Sequence, residues 1–178
     1  MTAEARDHIV DVAVELFAQQ GISATSMAQI AKAAKISRAW LYRNFDSRDP
    51  IVQAALARYS AHAATMLTEA DRTDRSLDQA VIAVFCYLVT RGRRERHIAE
   101  ILATDPDSVL GPAVAELQHY LVVQRSALDQ TRGQIAAEAI GRLILSAITT
   151  SSATFDFDEP ETLRAFTNQV IPQLLNPN

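Results

Sequence analysis

The sequence predicts an all-α protein: an N-terminal three-helix unit built around a helix-turn-helix, then a helical body, about nine helices in all. Three observations carry that expectation. Apolar residues recur at steps of three and four along most of the chain, as they do on a helix with one buried face. Glycine and proline are scarce, 5 and 6 among 178 residues, and most of them fall where a periodic run ends or begins. Alanine and leucine abound, both favourable in helices, and 48% of the residues are apolar, which suits a compact core.

The elements follow in order. Ile9, Val12, Ala13, Leu16 and Phe17 share one face of a first helix, about Ala3 to Gln20, with Gly21 as its stop. Thr25 or Ser26 offers an N-cap for a short helix that places Met27, Ile30, Ala31 and Ala34 inward. After a turn of about three residues Ser37 caps a second short helix, and Leu41, Tyr42 and Phe45 form its inward stripe before Asp46-Ser47 breaks it. A long helix from Arg48 to about Asp71 tolerates Pro50 in its first turn. Ser76 caps a strongly apolar helix ending at Gly92 and Arg93-Arg94. A shorter helix with Ile98, Ile101 and Leu102 stops before Asp105-Pro106, and Gly111-Pro112 opens the next. Gly133 separates that one from a long helix of about Gln134 to Ala153, and a last helix spans Glu161 to Leu175, with Pro172 bending it. The division expected is residues 1–47 as the first unit and 48–178 as connecting helix plus body.

The formal net charge of −4 hides a polarity along the chain. Between Glu15 and Asp46 no carboxylate occurs, whereas Lys32, Lys35, Arg38 and Arg43 all do. A short helix after a tight turn, basic on its exposed side, is what enters a DNA major groove. Its first turn reaches base edges while hydroxyls and cations hold phosphates.

The run Gly21-x-x-x-Thr25-Ser26-Met27-x-x-Ile30-Ala31-x-x-Ala34, then Ile36-Ser37-Arg38, then Leu41-Tyr42-x-x-Phe45-x-Ser47-Arg48-Asp49 closely resembles the signature of TetR-family regulators, over roughly residues 5 to 55. The resemblance implies that Thr25 or Ser26, Tyr42 and Arg48 hold phosphates. Arg38, Ala39 and Trp40 would face bases, flanked by Arg43 and Asn44. Two positions depart from the pattern. Lys35 stands where the turn usually has Gly, so a Cβ enters a position that often needs positive φ, and its ammonium could offset the strain at a phosphate. Ala39-Trp40 replaces a pair of small residues, and the ring of Trp40 either meets DNA or packs against the fourth helix. Thr25, Ser26 and Ser37 serve equally well as plain helix caps.

The resemblance also implies that the body senses a ligand and pairs subunits. A cavity among its helices would be walled by Phe85, Leu88, Leu102, Leu117, Tyr120 and Leu121, each of which is equally a core residue, and would take a small apolar or amphipathic effector. The last two helices would form a homodimer interface through Ile140, Leu143, Ile144, Ala147, Phe166 and Val170. A dimer also follows from the short reach of one reading helix, since palindromic half-sites reward two-fold symmetry.

Other classes find little support. The histidines are scattered, the single cysteine, Cys86, has no partner thiol, and there is no phosphate loop or nucleophile elbow. No metal, cofactor or catalytic residue is therefore expected. Charged residues interrupt the N-terminus and no run approaches a membrane span, so the expected partner is double-stranded DNA, with no membrane, in the cytoplasm. The alternative kept open is a TetR-like interaction or ligand-sensing module that has lost sequence-specific DNA binding.

Overall fold

The computed structural model describes residues 2–104, 106–124 and 127–176. It is all-helical there, with α1 (Ala3–Gln20), α2 (Met27–Ala33), α3 (Arg38–Asn44), α4 (Asp49–Arg72), α5 (Leu77–Arg94), α6 (Arg96–Thr104), α7 (Pro106–His119), α8 (Gln130–Thr149) and α9 (Pro160–Leu175). A wide π-turn, Tyr120–Gln124, continues α7.

Local chemistry sets most of the boundaries. Hydroxyls or carboxylates of Thr2, Ser26, Ser37, Ser76 and Asp129 each accept a backbone N–H in the first turn of the helix they precede. Ser26 adds a full capping box with Gln29. Gly21 ends α1 at φ +85°. The end of α2 is a Schellman motif. Lys35 sits at φ +57°, its N–H donates to Lys32 O, and the N–H of Ile36 donates to Ala31 O at 3.0 Å.

Two clusters of buried side chains result. The first joins Ile9, Val10, Ala13 and Phe17 of α1 to Ile30, Leu41 and Phe45, and it continues into Ile51, Val52 and Leu56 of α4. The second lies in the body, centred on Val81, Phe85, Val89, Tyr120, Leu121, Ala137, Ile140, Leu163 and Ile171. Helix α4 contributes to both, so the connecting helix is packed at either end and any tilt of it is felt by both clusters.

Three boundary expectations are corrected. Helix α7 starts at Pro106, with Gly111-Pro112 inside it, because Pro106 already supplies a φ suited to a first helical turn. Gly133 is no separator: it lies in the first turns of α8, where a Cβ would come 2.2 Å from a methyl of Val122. Asp129 starts that helix, which ends at Thr149 rather than Ala153. Helix α5 ends at Arg94, as its spacing predicts, and Gly92 in its last turn is pressed against Ile148. These glycines permit close helix contact, a role the local sequence does not distinguish from that of a stop.

Candidate nucleic-acid interface and effector cavity

The reading face forms around α3. Its N-cap, Ser37, accepts the N–H of Trp40 at 3.1 Å, which leaves the hydroxyl proton free to donate. Arg38, Ala39 and Arg43 are exposed, and Tyr42, expected on the inward stripe with Leu41 and Phe45, is instead 52% exposed. Lys32 and Lys35 flank them at the α2–α3 turn, also exposed, so the cations of the carboxylate-free window are presented together at the surface. Arg43 Nε donates to Ala39 O and Asn44 Nδ2 to Trp40 O, interactions that orient both side chains along α3. Trp40 is half-buried against the first cluster.

Two of the residues assigned to phosphate point inward instead. Thr25 is 1% exposed; its hydroxyl donates to Gly21 O at 2.7 Å and accepts from Gln20 Nε2 at 3.1 Å, locking the loop between α1 and α2. Arg48 Nη1 donates to Ile22 O at 2.6 Å, Thr25 O at 2.9 Å and Ser23 O at 3.3 Å, so it clamps that loop from the start of α4. The corrected assignment is that both hold the reader together. Ser26 is exposed, though its hydroxyl lies 2.8 Å from Gln29 Oε1 within the capping box.

Sequence reasoning missed the residues that tie reader to body. Glu100 of α6 accepts the N–H of Ile22 at 3.2 Å, gripping the same loop from the other side. Arg58 of α4 pairs with Asp7 at 2.7 Å and with Asp11 of α1. The bond to Asp7, with help from Asp11, raises the Arg58 pKa against a smaller effect of burial. These partners lie 47 or more residues apart in sequence, beyond any local signal.

Inside the body is a cavity of about 100 Å³. Its walls come from Ala63, Ala64 and Leu67 of α4, Val81, Val84 and Leu88 of α5, Leu102 of α6, Leu110, Ala113, Val114, Glu116 and Leu117 of α7, and Ala137, Ile140, Gly141, Ile144, Leu145 and Ile148 of α8. Leu88, Leu102 and Leu117 line it as expected. Phe85, Tyr120 and Leu121 do not: all three are essentially fully buried in the core, and the Tyr120 hydroxyl is 2.8 Å from Asp71 Oδ1. The dimer assignments also change. Ile140 and Ala147 are 1% and 4% exposed within one chain, closed off from a second copy, and Ile140 and Ile144 line the cavity. Leu143, Phe166 and Val170 are partly exposed, while Ile135, not foreseen, is 63% exposed on α8.

Among the described residues no group of three or more His, Cys, Asp or Glu side chains is placed to hold a metal ion. No helix there is long and apolar enough to cross a membrane.

Comparison with known proteins places this geometry. Residues 9–55 match the family model for bacterial regulatory proteins of the tetR family. The chain is 48% identical over 48 residues, 27% of its own length and 22% of the relative's, to the HTH-type transcriptional regulator AcrR of Shigella flexneri. Among curated relatives the matched segments span from about a fifth to three fifths of the other protein. The fold as a whole is similar to that of the TetR-family repressor AlkX from Dietzia sp., implicated in n-alkane biodegradation, with a TM-score of 0.70 at 21% identity over 95% of this chain and 94% of that one. It is also similar to the TetR-family repressor FadR of Thermus thermophilus in complex with lauroyl-CoA, with a TM-score of 0.65 at 19% identity over 96% and 93%.

Proposed function

We propose, from the match of residues 9–55 to the tetR family model and the TetR-like fold of the chain, that this protein is a ligand-responsive transcriptional repressor that binds a palindromic operator as a homodimer in the cytoplasm. The observation that carries the reading is the exposed, acid-free face of α2 and α3. There Arg38 and Ala39 are presented for base edges, with Trp40 half-buried beside them, and Lys35, Ser37 and Tyr42 for phosphates. Arg43 and Asn44 flank that face, and Ser26 stands at the start of α2.

The cavity supports the ligand-responsive part. It touches α4, which Arg48 precedes as N-cap and which carries Arg58, and these two hold the reader's loop and α1. A molecule that widens the cavity shifts α4 and with it the separation of the two readers in a dimer. The operator is released when the readers no longer match half-sites one helical turn apart. The partly exposed Leu143, Phe166 and Val170, with Ile135, form the dimer contact in this reading. The n-alkane association of the Dietzia repressor and the lauroyl-CoA of the Thermus one favour an aliphatic effector.

The test is selection of random duplex DNA on the purified protein at moderate salt, repeated with Tyr42→Phe and Arg38→Ala. A palindrome should be enriched, bound more weakly by the first variant and with relaxed sequence preference by the second. Absence of enrichment at any salt would favour the alternative, a ligand-sensing module without operator binding.

A further inference from the structure

We propose that the effector is a single-chain aliphatic amphiphile with a cationic head group, its chain in the body cavity and its head at Glu116; this rests on reading that cavity as the effector site. Of the 18 described residues that line the cavity, Glu116 alone has a polar side chain, and none is aromatic. An aromatic ligand would find no ring to stack on, whereas an alkyl chain loses nothing by meeting only Ala, Val, Leu, Ile and Gly.

The head group is chosen by charge. A carboxylate or phosphate drawn toward these walls meets no side-chain donor among the described lining residues, and a buried anion without a partner is strongly disfavoured. None of those residues is a cation. Arg142, one residue beyond the lining Gly141, is paired with Glu138 at 2.6 Å. Glu116 is exposed on α7, so a ligand head there stays hydrated and sits against a carboxylate. A trialkylammonium fits that position, a neutral alcohol is tolerated, and an anion is repelled.

Shape points the same way. The cavity, about 100 Å³, is smaller than the roughly 150 Å³ that admits benzene in an apolar core. Binding must therefore part α7 from α8 where Gly141 allows their close approach, with Val114 and Leu110 the atoms nearest to a Cβ built there. A flexible chain does this one methylene at a time, whereas a rigid ring system has to open the whole contact at once.

The experiment compares decyltrimethylammonium, decanol and decanoate, each below its micelle concentration, by thermal unfolding of the intact protein without DNA and by release of the enriched duplex. The cation should bind about 3- to 5-fold more tightly than the alcohol, as expected for one solvent-exposed charge pair, and at least tenfold more tightly than the carboxylate. Glu116→Gln should erase the first difference while leaving decanol binding unchanged. Shortening the chain should weaken binding by about fourfold per methylene. Decanoate binding as tightly as the cation, or an unaltered cation preference in Glu116→Gln, would overturn the proposal while leaving the cavity as the effector site. If none of the three raises the unfolding temperature, the cavity reading fails with it. Stabilisation by the cation without duplex release would uphold the ligand assignment and count against the regulatory one.

Discussion

Replacing Gly92 by alanine gives a sharp test of how the body is packed. In an open helical position this change stabilises by about 1 kcal/mol, because alanine loses less backbone entropy than glycine. At Gly92 the new Cβ would stand 2.6, 2.8 and 3.0 Å from Cδ1, Cγ1 and Cγ2 of Ile148. Both branches of that side chain are in the way, and Ile148 is itself buried on α8, with little room to move aside. Overpacking of this kind costs about 1–3 kcal/mol, often at the upper end when backbone must move. The balance is a net loss of about 1–2 kcal/mol. Chemical denaturation at fixed protein concentration measures it. The second arm is Ile148→Val, which removes the nearest atom. Alone it should cost about 0.5–1.5 kcal/mol; on the Gly92→Ala background it should cost nothing or stabilise, a coupling of at least about 0.5 kcal/mol. If Gly92→Ala stabilises the protein, or the two changes add within about 0.3 kcal/mol, the close approach of α5 and α8 described above is wrong.

Other consequences are as direct. Arg48→Ala should lower stability by about 2 kcal/mol, since three carbonyls lose a charged donor at a partly exposed site, and should leave the salt dependence of DNA binding unchanged. A reduced salt dependence with stability intact would return Arg48 to the phosphate role. The bidentate contact of Arg93 at 2.7 and 2.8 Å holds the Asp158 carboxyl below its ordinary 3.8. A carboxylate of lowered pKa contributes stability above pH 3.8 and loses it as the pH falls through the lower folded value. Asp158→Asn should therefore lower the unfolding temperature slightly at pH 7, by less than about 1 kcal/mol at so exposed a residue, and have no effect in stronger acid. A loss that persists unchanged at pH 2 would show that something other than this ion pair is responsible.

The helices were legible in the sequence because their causes are local. Caps at Ser26, Ser37 and Ser76, the stop at Gly21 and the stripes of α1 and α5 lie within a few residues of what they determine. The exposed basic face was legible for the same reason: Lys32, Lys35, Arg38 and Arg43 lie close together in sequence on two short helices and the turn between them. What the sequence did not disclose depends on distant contact. Gly92 and Gly133 look like helix stops until Ile148 and Val122 are seen against them. Thr25 and Arg48 carry the right chemistry for phosphate, yet their direction is set by carbonyls of the reader's own loop. The apolar residues of α8 could not be divided in advance between core, cavity and partner. Periodicity identifies the buried stripe, and only the packing of α7 over α8 shows that Ile140 faces the cavity while Ile135 is left outside.

The central claim, that the face of α3 reads DNA, is tested most directly by titrating the enriched duplex with protein at a series of salt concentrations, alongside a scrambled duplex and Lys35→Ala. Of the exposed cations Lys32, Lys35, Arg38 and Arg43 in each subunit, two on phosphates would make four contacts per dimer. Log K should then fall with log salt at a slope of about −3.6, roughly a hundredfold loss from 50 to 200 mM. Lys35→Ala should flatten that slope by about two per dimer on both duplexes alike, leaving the preference for the palindrome intact. A slope near zero, or equal affinity for the palindrome and its scrambled counterpart, would contradict the account.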